Sequence, residues 1–436
     1  MRKVWLGVGT LAVGVAAALA GPGTAHADAD RGNSSGARVA HSPTSSSGDS
    51  RVSEQIHVMG RGAMALAAPR PASTVTRTIE TVVPQARSLA PPASPVTRTA
   101  PAATIAPAAP AVPAVSYRVS NPIPARTQWN ANYGYCGETS FISAGLNYGQ
   151  YLSQYDARAI ASNNMRQSLS ASQLLLGVND VAAAKKMHLN AVPFNTAQQT
   201  TTAQFLTWAK TNVMAGYPVV IGVYTNEYRF DGNTNPNAGD AEYDHIVTVT
   251  GFSSNHPLTA PAAYYADDVI TFNDNGIWTG TPNGLPQNVF SYALGSFPAT
   301  RRQANAAAGP VYSLSNAKDY GIAITGVADL NRETVPVRLT TSTVGESPAM
   351  VEGSSTRPAA KPVTLTITVS GLTAGKTYNL YRYSSMSAVP DSNFNANAAK
   401  SAQKWKIVAT GSTYTMTQTV LSSETAAYRA VPITAR

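Results

Sequence analysis

The 436-residue chain has a single cysteine, Cys136, and only 13% of its residues are charged. One cysteine excludes an intrachain disulfide framework and any zinc site built on a cysteine cluster. The charged fraction is about half the usual quarter, which excludes a coiled coil and a disordered chain driven by its own charge. Past residue 20 no apolar run is long enough to cross a bilayer. The polar C-terminus offers no hydrophobic tail for a lipid-anchor signal. Aromatics are missing from one long stretch, since Asp28 to Ser116 holds no Phe, Tyr, Trp or Cys. Without them it cannot bury enough apolar surface to offset its ordering entropy. Prolines such as Pro84, Pro91, Pro92, Pro95 and Pro101 forbid long helices and central strands there. Residues 28–115 are therefore expected to form a disordered, partly polyproline-like linker rich in Pro, Ala, Ser and Thr.

The N-terminus reads as a targeting segment. Arg2 and Lys3 precede an uncharged run from Val4 to Ala20, which Gly21, Pro22 and Gly23 interrupt. Ala25 and Ala27 supply small residues at the two positions that a signal peptidase reads. Residues 1–27 are thus expected to be a signal peptide and the mature protein to be secreted, without stable membrane insertion. Export makes the lone thiol informative. Oxidising compartments favour paired cysteines, so an unpaired one is either buried and inert or reactive.

The net charge of +9 is unevenly spread. The signal carries +2, residues 28–115 carry +3, residues 116–300 carry −3 and residues 301–436 carry +7. The basic C-terminal part could touch a cell surface or an anionic polymer. Nucleic acid is not an expected partner.

Periodicity divides the remainder in two. Helices are expected over Ser140–Tyr155, Ser172–Lys186 and Thr202–Val213, where apolar residues recur at spacings of three and four. Strands are expected over Pro218–Tyr224, Ile246–Phe252 and Val269–Phe272. Helices followed by strands imply an α+β domain, here 116–305. From 306 to 436 seven short β-type runs follow, beginning with Ile322–Ala328 and including the strict alternation Val363–Ser370. They imply an all-β sandwich domain. Within it, Val369 to Tyr378 resembles the strand–turn–strand signature of fibronectin type III domains, with Leu372 and Tyr378 as core and corner residues.

Chemistry concentrates around Cys136. It directly precedes a helical pattern, and a helix N-terminus favours a thiolate through its unpaired N–H groups and partial positive charge. Gly134 and Gly137 flank it and would let a substrate backbone approach closely. A thiolate needs a base and the base an orienter. His245 opens one expected strand, and Asp274 follows another between Asn273 and Asn275, either of which could orient in its place. Gln128 could supply an amide donor to an oxyanion hole beside the Cys136 N–H. His188 and His256 are assigned no chemistry. The spacing Asp231, Asn233, Asn235, Asn237 and Glu242 mimics a calcium loop, but Pro236 stands where the turn glycine belongs. A solvated loop is the reading, and neither metal nor cofactor is expected.

Gln128, Tyr135-Cys136-Gly137 with Ser140, His245-Ile246-Val247 ahead of Gly251-Phe252, and Phe272-Asn273-Asp274 together resemble the double-glycine (bacteriocin-processing) peptidases. These are a papain-like cysteine peptidase family with secreted stand-alone members. The resemblance spans roughly residues 125–276. It implies a papain-like peptidase fold acting on a peptide or protein substrate, with Cys136 as nucleophile, His245 as general base, Asp274 as orienting acid and Gln128 as oxyanion donor. Trp278 would shield the His–acid hydrogen bond. Glu138 departs from the Pro or Ala often found there, and the loop Phe230–Tyr243 is unusually long. The competing reading is a non-catalytic secreted adhesion protein, with a degenerate peptidase domain and a binding sandwich.

Overall fold

The structure, a computed structural model, describes residues 116–129, 131–225, 242–275, 288–299, 311–316, 318–342, 351 and 353–433. All fall within one compact unit. The signal and linker segments, Trp278 and most of the calcium-like loop lie outside the described residues. The architecture is mixed α+β, with mostly antiparallel sheets.

Four helices come first: α1 (Cys136–Leu146), α2 (Gln154–Ala161), α3 (Asp180–Lys186) and α4 (Thr202–Met214). The single helix expected over Ser140–Tyr155 is in fact two. Gly149 adopts φ +70° and turns the chain, and a two-residue strand, β2 (Gln150–Tyr151), separates α1 from α2. The helix expected from Ser172 starts only at Asp180. Two of its expected residues give their backbone donors to side chains instead, one distant and one local. Leu174 N–H donates to Glu138 Oε1 at 3.0 Å and Leu175 N–H to Asn179 Oδ1 at 2.9 Å. α4 matches its expected span closely, opened by a reciprocal capping box between Thr201 and Gln204.

The first sheet has eight strands. β3 (Leu189–Pro193), β9 (Gly321–Val327), β4 (Val219–Thr225), β5 (His245–Ser254), β6 (Val269–Asn273) and β7 (Val289–Ala293) lie in that spatial order. β1 (Tyr117–Ser120) pairs with β5, and β8 (Tyr312–Ser313) with β4. Period-two alternation sorts β4 onto two cores. Val219, Ile221 and Val223 pack with Phe205, Leu206 and Val213 of α4. Val220 belongs with Phe141 and Ile142 of α1. The sheet is therefore covered on both faces, which explains why all seven residues of β4 are buried.

Two further sheets share a third core. β10 (Val337–Thr341), β11 (Pro362–Ser370) and β14 (Thr413–Leu421) form one. β13 (Gln403–Val408), β12 (Thr377–Tyr383), β15 (Ala426–Pro432) and β2 form the other. The strand over Ile322–Ala328, expected in this second part, instead sits inside the first sheet as β9, between β3 and β4. Its residues Ile322, Ala323 and Ile324 are fully buried there. A strand this apolar on both faces suits the middle of a covered sheet, and local pattern could not tell which sheet would take it.

The halves are stitched rather than tethered. Gln150 and Tyr151 of β2 pair with Ala427 and Ala426 of β15. Leu146 and Tyr151 belong to the same apolar core as Leu365, Ile367 and Leu380. The fully buried Arg429 donates to Gln150 Oε1 and to the Tyr148 carbonyl at 3.3 Å. Leu146→Ala is accordingly expected to remove about 2–5 kcal/mol of stability and leave one cooperative transition. Urea unfolding followed by both tryptophan fluorescence and far-UV circular dichroism checks this. Two separated transitions, with only one of them shifted, would contradict a shared core.

Candidate active site

Cys136 opens α1, and its helix cap Tyr135 makes no side-chain hydrogen bond to the first turn. The first-turn N–H groups are thus not consumed by a cap. Every residue of α1 is buried, and Cys136 itself is 3% exposed. Gly137 has a different reason from the one expected. A Cβ there would lie 2.0 Å from the Leu174 carbonyl oxygen, so the close approach is made by the chain's own backbone.

His245 starts β5, and Asp274 directly follows β6, its antiparallel neighbour. His245 Nε2 meets Asp274 Oδ1 at 2.8 Å, both side chains being almost wholly buried. That contact leaves Nδ1 as the ring nitrogen for the thiol. Burial acts to lower the imidazole pKa. The hydrogen bond to Asp274 and the interaction with Cys136 overcome it and push it up to about 10. Both partners thus favour the charged form of the ring.

The asparagines beside Asp274 have other work. Asn273 Nδ2 donates to the Ile123 carbonyl at 3.0 Å. Asn275 Nδ2 donates to the Cys136 carbonyl at 3.3 Å and to Ser140 Oγ at 3.1 Å. Ser140 Oγ donates onward to the Ile246 carbonyl at 3.1 Å. Ser140 and Asn275 thereby tie the thiol's helix to both the strand that carries His245 and the residue after Asp274. Of the three neighbours, Asp274 is the one that contacts the His245 ring.

Gln128 is fixed from two sides. Its N–H donates to the Asn275 carbonyl and its Oε1 accepts the Tyr135 N–H, each at 2.9 Å. This sets the carboxamide with its oxygen toward the residue before Cys136 and makes Nε2 its donor end.

The loop entering α1 is held by a group that sequence reasoning passed over. Asn132, Tyr133 and Gly134 are consecutively left-handed, with φ of +48°, +69° and +76°. The fully buried Arg158 of α2 sits behind them. Its Nη1 donates to the Asn132 carbonyl at 2.7 Å, and its Nη2 donates to the Gly134 carbonyl. Its Nε donates to Glu138 Oε1 at 2.6 Å, and its plane lies 3.6 Å from the Tyr135 ring centroid. The same Glu138 oxygen accepts the Leu174 N–H. Glu138, the departure from the family's small residue, is thus half of a buried ion pair. An acid in an apolar first turn was itself the signal that a buried cation must exist.

Tyr312 was also missed. Its ring centroid is 6.0 Å from that of His245 and 4.6 Å from that of Phe290. An aromatic ring thus stands beside His245, while Trp278, expected to shield the His–acid hydrogen bond, lies outside the described residues. By sequence the Tyr312 segment falls in the expected second domain, 306–436. Among the described residues no group of three or more His, Cys, Asp or Glu could hold a metal ion. Compared with known protein families, curated proteins and solved structures, the chain matches none.

Two outcomes are expected. Because the folded His245 pKa lies above its ordinary 6.5, its stabilisation is fully present below pH 6.5 and fades as pH rises toward 10. The stability gap between wild type and His245→Gln should narrow over that interval in urea titrations at stepped pH; a constant gap would refute it. Arg158→Met strands the Glu138 carboxylate and is expected to cost about 3–5 kcal/mol, measured the same way at pH 7, with part of the loss recovered in the Glu138→Gln background.

Proposed function

We propose that the protein is a secreted cysteine peptidase that hydrolyses peptide or amide bonds. It is read as a papain-like domain of the double-glycine type followed by a fibronectin type III-like sandwich. The observation that carries this reading is the buried 2.8 Å contact between His245 and Asp274 at the thiol that opens α1, which with Asp274 raises the imidazole pKa.

The chemistry follows from the placement. The Cys136 thiolate, beside the His245 imidazolium, attacks the scissile carbonyl carbon. Oxygen takes up negative charge and is met by the Cys136 N–H and Gln128 Nε2. As the tetrahedral species collapses, His245 gives its proton to the leaving amine, and the acyl group stays on sulfur. Neutral His245 then takes a proton from water, which attacks the thioester. The acid product leaves and the ion pair is restored. Asp274 holds the ring tautomer and orientation throughout. The same steps with another acceptor or leaving group give amide hydrolysis or acyl transfer.

The 3% exposure of Cys136 is what favours the second reading, a recognition protein with an inert thiol. One experiment separates the two. Wild type treated with a thiol-directed epoxysuccinyl inhibitor is expected to gain one adduct at Cys136, and Cys136→Ala to gain none and lose protein hydrolysis. An unlabelled native Cys136 that reacts only after denaturation would sink the peptidase reading.

A further inference from the structure

The left-handed loop before Cys136 is held on one side by Arg158 and on the other by the C-terminal half. Asn132 is fully buried, and its carboxamide is clasped at both ends by the segment joining β10 to β11. Its Nδ2 donates to the Ser354 carbonyl at 2.7 Å, and its Oδ1 accepts the Gly353 N–H at 2.8 Å. That segment is itself fastened to α2. The Tyr155 hydroxyl donates to the Ser355 carbonyl at 3.1 Å. The Arg357 guanidinium lies 4.8 Å from the Tyr155 ring centroid, bonds Asp156 and donates to the Ser423 carbonyl at 2.9 Å.

Two physical points give this clasp weight. Left-handed non-glycine residues store about 1–3 kcal/mol each and persist only where their surroundings over-determine them. Asparagine tolerates that conformation, and its amide presents a donor and an acceptor side by side. A buried amide must have both satisfied, and here both partners are backbone groups of the C-terminal half.

We propose that Asn132 is a positioning residue through which the C-terminal half holds the nucleophile loop in its working shape. The C-terminal half is then part of the catalytic unit. This rests on the thiol-catalysis reading above.

The test uses the full chain and iodoacetamide, whose reaction with Cys136 needs no knowledge of the substrate. Asn132→Gly keeps the left-handed backbone and removes the clasp. Asn132→Asp keeps the shape but sets an oxygen against the Ser354 carbonyl. Tyr155→Phe removes only the hydroxyl that grips Ser355, and it decides the matter should both Asn132 variants fail to fold. In each folded variant the Cys136 alkylation rate at pH 6 is expected to fall, by about tenfold or more for Asn132 and by less for Tyr155→Phe. The pH profile should move toward that of an ordinary thiol. Wild-type rates and profiles in folded variants overturn the proposal and leave the catalytic reading standing. A wild type that already alkylates like an ordinary thiol overturns both.

Discussion

The guanidinium of Arg158 is the fixed point of this molecule. It carries a full charge with no access to water, and it meets a carboxylate, two carbonyls of the loop before Cys136 and the face of Tyr135. Without it those carbonyls would point into a buried space with no donor, and the three left-handed residues ahead of Cys136 would have little to hold them. Hydrogen bonds to a charged group are worth about 1.5–3 kcal/mol each, so a few of them match the strain of two left-handed non-glycine residues. Loop shape near the thiol is therefore an electrostatic outcome, set from helix α2.

The remaining geometry comes from the first sheet. Antiparallel pairing places Thr248 opposite Asn273, which brings the start of β5 and the residue after β6 to the same end. His245 and Asp274 meet there as a consequence of register. Ser140 and Asn275 then bind α1 to that end, and Asn275 also reaches the Cys136 carbonyl. Each site residue is thus positioned by a neighbour one to four places away in sequence that bonds across to another element. A one-residue slip of register would turn every side chain of the strand to the opposite face, so the sheet's two packed cores also protect the alignment of the site.

The sequence carried the local half of this picture. Cys136 before a helix, His245 at a strand start and Asp274 after a strand end were all legible, because each depends on a short pattern. The span of α4 was legible for the same reason, with Thr201 and Gln204 marking its start. What stayed hidden depends on partners distant in sequence. The break between α1 and α2 arises because Gln150 and Tyr151 are claimed by β15, more than 270 residues on. The late start of α3 arises in part because Leu174 spends its N–H on Glu138, 36 residues earlier. β9 looked like one more short β run, and only its place between β3 and β4 reveals its membership. Arg158 reads as an ordinary charged residue on a short helix. Glu138 was noticed as an oddity, yet a buried acid names no partner by itself.

These long-range claims bear on how the two halves relate. A sandwich appended as an independent module would meet the first half across a polar, modest surface and would be free to move. Here the first half contributes a strand to one of its sheets and two side chains to its core. The second half in return places backbone groups on Asn132, four residues ahead of the thiol. Exchange of this kind removes the usual licence to treat the halves as separable. A substitution in the C-terminal core can reach the loop before Cys136 through the segment between β10 and β11, with no change in any residue beside the thiol. The basic charge of that half, which first suggested a surface contact, is partly committed inward. Arg429 is fully buried against the first half, and Arg357 is bound to Asp156.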